Sequence, residues 1–147
     1  MRYSVLTALL AAPALISAAP VQSVGSPAAA KQTVERYYAA IDRGDFRAAY
    51  LAWGDGGRAS GKSFDRFRQG FAATARSRVV AGAPYGADAG MSQRWIQVPV
   101  DVFATLKNGE RQHFRGSYTL HRVAEGVGAP ASKTRWHIAS TKLVAVR

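Results

Sequence analysis

Cysteine is absent from this 147-residue sequence, which excludes a disulfide framework and a lipidated cysteine behind a leader, so stability has to come from a packed core. Acids are scarce. Nine Asp and Glu stand against twenty Lys and Arg, a formal charge of +11 at pH 7. That surplus attracts anions over about 8 Å at physiological salt and carries no information on fold. It comes without a helix-turn-helix, zinc-ligand or RNP-like pattern, which argues against nucleic acid and for an anionic component of a cell envelope as partner. Long apolar runs are missing too. The one candidate, Val5 to Ile16, is broken by Pro13 and is shorter than the about 20 residues that span a bilayer.

With Arg2 before it and Ser17-Ala18-Ala19 after it, that run has the pattern of an export signal over residues 1–19. The expected location is therefore periplasmic or secreted, with no membrane span once the signal is removed. Cleavage near Ala18 or Ala19 leaves about 128 residues, the size of one domain. Residues 20–27 read as a tether and 28–147 as a single domain.

Ser26-Pro27 is an N-cap followed by proline at the first helical position, so a helix is expected to start there. Val34, Tyr37, Tyr38 and Ile41 recur at i, i+3, i+4, i+7, and Gly44 offers a left-handed stop. Asp45 caps a second helix with Phe46, Ala49, Tyr50 and Trp53 on one face, ended by Gly54. Ser63 caps a third, lined by Phe64, Phe67 and Phe71. After a turn-rich piece around Pro84, Gly86 and Gly90 the period changes: "RWIQVPVDVFATLKNGERQHFRGSYTL" alternates on both sides of Asn108-Gly109, the mark of a long β-hairpin. A last strand follows Gly126 to Ser132, with Trp136 and Ile138 on one face and Arg135 and His137 on the other.

The turn sets the register. A two-residue Asn-Gly turn would pair Val102 with Arg115 and mix the faces. A three-residue loop, Lys107-Asn108-Gly109 with Gly109 left-handed, pairs Leu106 with Glu110. Then Val102 faces Phe114, Val100 Gly116, Val98 Tyr118 and Ile96 Leu120, one continuous apolar row. On the other face Asp101 lands beside Arg115, a pair worth about 0.2–1 kcal/mol. The three-residue loop is the expectation.

Three amphipathic helices followed by strands with one apolar face make an α+β layer arrangement: three N-terminal helices on a curved antiparallel sheet of about four strands. The segments "VERYYAAIDRGDFRAAYLAW", "SFDRFRQGF", "VPVDV", "GSYTLHRV" and "WHIASTKLV" together resemble small exported bacterial members of the nuclear transport factor 2-like superfamily. The resemblance spans Ala30 to Val144. It implies a sheet wrapped against helices into a cone with a pocket. It does not imply an activity, because the superfamily includes dehydratases, isomerases, cyclases and non-catalytic binding domains.

"GGRASGKS", Gly56 to Ser63, fits the phosphate-loop template G-x-x-x-x-G-K-[ST] letter for letter. The context contradicts it. The residues before Gly56 are helical in period, no β-α repeats follow, and "VPVD" carries Pro99, which a central parallel strand tolerates poorly. His113 and His121 lie about 27 Å apart along one strand at roughly 3.4 Å per residue, so they share no ion. His121 and His137 alone make a poor site. No metal and no cofactor is expected.

The inward rows hold almost no acid or base. Glu35 and Asp42, at the border of the first helix's apolar stripe, are the only pocket acids on offer, so no catalytic residue is assigned. The leading reading is a non-catalytic exported cone domain. Its pocket is either filled by its own aromatics or holds a small apolar ligand lined by Tyr38, Trp53, Tyr118 and Trp136, each an apolar body with one polar tip. A second reading is a lyase or isomerase using Tyr118 with Glu35 or Asp42. A third is a module that forms a homodimer through an outer sheet face bearing Trp95 and Phe103. Arg111, Arg115 and Arg135, expected on the histidine face, form a cationic surface for an acidic partner or an anionic envelope component.

Overall fold

The computed structural model describes residues 13–147; of the export signal expected over 1–19, residues 1–12 lie outside that range. Residues 13–23 are exposed and without regular structure. Ser26 Oγ then accepts the Ala29 N–H at 3.1 Å, and α1 runs Pro27–Asp42 with Pro27 in its first turn. Val34, Tyr37, Tyr38 and Ile41 are buried along its inner side, as the spacing requires. Gly44 is left-handed, with φ of 77°. Asp45 Oδ1 accepts the Ala48 N–H at 3.1 Å and opens α2, Phe46–Leu51.

The second helix stops before Trp53, short of the expected end at Gly54. The reason is tertiary: Ile138 N–H donates to the Ala52 carbonyl at 2.8 Å and Gly54 N–H donates to the Ile138 carbonyl at 2.9 Å. The closing strand takes the groups that a further helical turn would have used. A 3-10 segment, Asp55–Ser60, leads to α3, Phe64–Gln69, whose first turn is capped by Ser63 Oγ from Arg66 N–H at 3.3 Å.

Five strands follow: β1 Thr74–Ala81, β2 Tyr85–Gly90, β3 Gln93–Leu106, β4 Arg111–Val123 and β5 His137–Ala145, with a short α4, Ala131–Thr134, before the last. They form one antiparallel sheet in the order β1-β3-β4-β5, and β2 pairs β3 beyond the end of β1. The architecture is α+β with helices N-terminal to the sheet, as expected. Five strands replace about four, and α4 adds a helix to the three. β1 and β2 were hidden for physical reasons: β1 turns only Ser77, Val79 and Ala81 inward between exposed arginines, and β2 is exposed throughout, so neither shows an apolar period.

The hairpin has the three-residue loop. Leu106 N–H donates to the Glu110 carbonyl at 2.8 Å, and Gly109 has φ of 87°. Val102 pairs with Phe114, Val100 with Gly116, Val98 with Tyr118, Ile96 with Leu120 and Asp101 with Arg115. α1 packs on β1, β3 and β5 over the inner row, and Val34, Val98, Leu120 and Ile138 are fully buried between the layers. Each such side chain contributes about 1.5–3 kcal/mol. Among the described residues no helix is long and apolar enough to cross a membrane.

At Gly116, strands β4 and β5 leave no room for a side chain. A Cβ there would fall on the backbone carbonyl of Lys142 in β5, which has no flexible end to move aside. Gly116→Ala is therefore expected to part β4 from β5 and lower stability by about 3 kcal/mol or more. Urea unfolding of the two proteins checks it; a loss below about 0.5 kcal/mol would show that the strands can separate freely.

Candidate functional site

Helix α1 sends Tyr37 and Tyr38 into the cone, β4 sends Tyr118 to meet them, and the segment after α2 adds Trp53. The four are nearly fully buried, and their rings meet edge to face at centroid distances of 5.0–6.4 Å. Phe67 of α3 closes the cluster 6.3 Å from Tyr37. The Tyr38 and Tyr118 hydroxyls share a hydrogen bond of 2.5 Å. Three of the four expected lining residues, Tyr38, Trp53 and Tyr118, are thus brought together, packed on one another. Trp136 stands apart: it donates its indole N–H to the Ser26 carbonyl at 3.0 Å and edges two surface grooves.

Burial makes these phenols weak acids. Desolvation of the phenolate pushes Tyr37, Tyr38 and Tyr118 well above the ordinary value, with the neighbouring phenols adding to it for Tyr37 and Tyr118. They are neutral donors and acceptors, not bases. The acids are engaged elsewhere. Glu35 is half-exposed beside Lys31 at 4.0 Å. Asp42 takes Arg76 at 3.0 Å and the Ser77 N–H at 2.8 Å; those bonds hold its carboxyl below the usual range. Neither acid joins Tyr118.

The outer sheet face carries the charge. His113 and Arg115 both donate to Asp101 Oδ1, at 2.6 and 2.8 Å, and hold that carboxyl below its usual range, His113 more than Arg115. His121 and His137 are cross-strand partners; burial and then His137 disfavour the charged form of His121, whose Nε2 bonds Gln93. Among the described residues no three His, Asp or Glu side chains gather as metal ligands. Trp95 lies against His121 at 4.3 Å, and Phe103 is enclosed between His113 at 4.3 Å and the Arg78 guanidinium at 4.6 Å.

The cationic surface differs in membership from the expected one. Arg135 belongs to the helical side, in a groove with Arg36 and Arg43. Arg111 instead shares a groove of about 470 Å³ with Arg76 and Arg78 of β1, floored by Phe103. The two β1 arginines were missed because β1 itself was; the alternation Arg76, Arg78 was the available signal. The phosphate-loop letters fall on the 3-10 segment and the Ser63 cap, preceded by α2 and a single parallel bridge from Trp53 to Ile138, with no strand leading into Gly56.

No protein-family model matches the sequence, and a search of curated proteins finds no match. Solved structures do match. The Kfla4162 protein from Kribbella flavida aligns over 82% of this chain and 91% of its own, with a TM-score of 0.55 at 17% identity. A protein from Novosphingobium aromaticivorans provisionally named a scytalone dehydratase aligns over 79% and 80%, with a TM-score of 0.53 at 8% identity. A provisionally named dehydratase of the NTF2-like family from Streptomyces avermitilis aligns over 82% and 99%, with a TM-score of 0.50 at 14% identity. The fold is nuclear transport factor 2-like. At these identities the likeness carries the cone architecture and no activity.

Two outcomes test the neutral, filled cone. Raised phenol values mean that the folded state holds protons the unfolded state releases above about pH 10, so this stability is complete below pH 10 and is lost as pH rises. Three of the six tyrosines should ionise only together with unfolding, seen as a step in tyrosinate absorbance that coincides with loss of circular dichroism. Tyr38→Phe or Tyr118→Phe should each cost about 1–3 kcal/mol by stranding the other hydroxyl, and the double variant less than their sum. Additive losses in urea titrations would mean that the hydroxyls are not coupled.

Proposed function

We propose that this chain is an exported, non-catalytic cone domain that binds an anionic polymer of the cell envelope along the outer face of its sheet. One observation carries the reading: the space that a catalytic cone would reserve for substrate is occupied by Tyr37, Tyr38, Trp53, Phe67 and Tyr118, while cations collect on the opposite face of the same strands. Arg78 and Arg111 are exposed and, among the described residues, have no carboxylate within 4.0 Å, so their charge is available to a partner. Arg76 and Arg115 are neutralised in part by Asp42 and Asp101. The cations border a groove with an aromatic floor, which suits an extended polymer better than a flat membrane surface. A lyase or isomerase reading would need an inward carboxylate, and Glu35 and Asp42 are both bound to cations outside the cluster.

Arg78→Glu and Arg111→Glu should each weaken binding to an anionic polysaccharide matrix. Each cation near an anionic surface is worth about 1 kcal/mol, so removal alone gives about a fivefold loss, and reversal gives more. Arg36→Glu on α1 makes the same change of net charge away from the groove and should elute close to the unaltered protein. Equal shifts for all three would reduce the effect to net charge and remove the site.

A further inference from the structure

The inner row of the hairpin does not stay apolar to its end. Past Ile96 and Leu120, the next inward pair in the register is Arg94 opposite Arg122. Like charges directly across an antiparallel pair repel. Among the described residues no carboxylate comes within 4.0 Å of either guanidinium to relieve them. Arg94 bonds only the Gln93 carbonyl, at 2.9 Å. Arg122 reaches the Val123 carbonyl at 3.4 Å, and its Nε is buried without any partner. Asp88, which lines the same groove, accepts the Ala89 N–H of its own strand at 2.8 Å.

Arg122 is also held in place. Its guanidinium lies against the backbone of Gly25, where a Cβ would collide with it, and sits 5.2 Å from the Trp136 ring. Trp136 in turn is anchored to the Ser26 carbonyl. The two arginines and Trp136 border a groove of about 260 Å³, whose lining also includes Pro27, Trp95, Ile96 and one acid, Asp88. Two guanidiniums against one acid, with Pro27, Ile96 and the two tryptophans as apolar wall, leave a net positive groove complementary to a small molecule with an anionic head and a compact apolar body. The planar, forked donors of arginine match a carboxylate in particular.

From this arrangement we infer a binding site for a small organic carboxylate, of the size of one ring or a short branched chain, with its carboxylate between Arg94 and Arg122 and its body against Trp136. The site is separate from the outer-face groove and does not depend on it. An anion supplies the hydrogen bond that Arg122 Nε lacks and cancels the repulsion across the strands, so an occupied site is more stable than an empty one.

Benzoate, acetate and inorganic phosphate, each titrated into the full-length protein by calorimetry and by thermal melting, test it. Benzoate should bind saturably and raise the melting temperature, with acetate and phosphate at least tenfold weaker. Arg94→Gln should weaken benzoate at least tenfold and, without ligand, melt no lower than the unaltered protein, because it removes the repulsion. Arg122→Gln should behave alike; if that variant fails to fold, the partly exposed Arg94 decides. No saturable benzoate binding, or binding unchanged in Arg94→Gln, overturns the site. Phosphate binding as tightly as benzoate overturns the assignment of the apolar body.

Discussion

Thirteen consecutive cross-strand pairs between β3 and β4 share one register, and every other placement in the molecule is referred to it. The register is set by a loop of three residues, in which Gly109 takes the left-handed conformation that lets Leu106 close on Glu110. Side chains alternate with period two, so a slip by one residue would turn Val98 and Tyr118 to solvent and bring Asp101 and Arg115 beneath the helices. The hairpin then could not accept α1, since the stripe of Val34, Tyr37, Tyr38 and Ile41 would meet charge. One turn thus couples the aromatic interior to the cationic exterior.

That coupling explains what the sequence made legible. The caps at Ser26, Asp45 and Ser63 act through neighbours three residues away, so they were readable and the hydrogen bonds are present. The hairpin was readable because its two halves are adjacent and long. The end of α2 was not, because Ile138, more than eighty residues on, decides it. β2 was not, because it is held by backbone pairing to β3 and buries no apolar face. At the site, the meeting of Tyr38 with Tyr118 was foreseen as a lining and took shape as a hydrogen-bonded pair inside a packed cluster. Arg94 and Arg122 lay two residues past the last pair that the register arithmetic reached; continuing the same count would have placed them opposite each other.

The scarcity of acids decides how charge is distributed. Of the nine, Glu35, Asp42, Asp45, Asp55, Asp65 and Asp101 are each committed to a lysine or arginine, so few remain to balance the other cations. On the outer face this is inexpensive, because water solvates Arg78 and Arg111 and salt screens them. On the inner face it is not. Arg122 Nε is out of contact with solvent, and neither strand offers it an acceptor.

The interior and the inner arginine pair therefore represent opposite solutions to one packing problem. Tyr38 and Tyr118 bring polar atoms into the cone and satisfy them mutually, so that of the cluster's polar atoms the Trp53 indole N–H is the one left buried without a partner among the described residues. Arg94 and Arg122 bring like charges to the end of the same row, with only single backbone carbonyls as acceptors and Arg122 Nε left without one, although a carboxylate at either position would have formed an ion pair across the strands. Gly25 and Trp136 hold Arg122 where it faces Arg94, so an anion between the two would relieve a repulsion that the strands themselves leave in place. Recognition by this cone is accordingly expected at its charged margins, where desolvation is incomplete, and not among the rings at its centre.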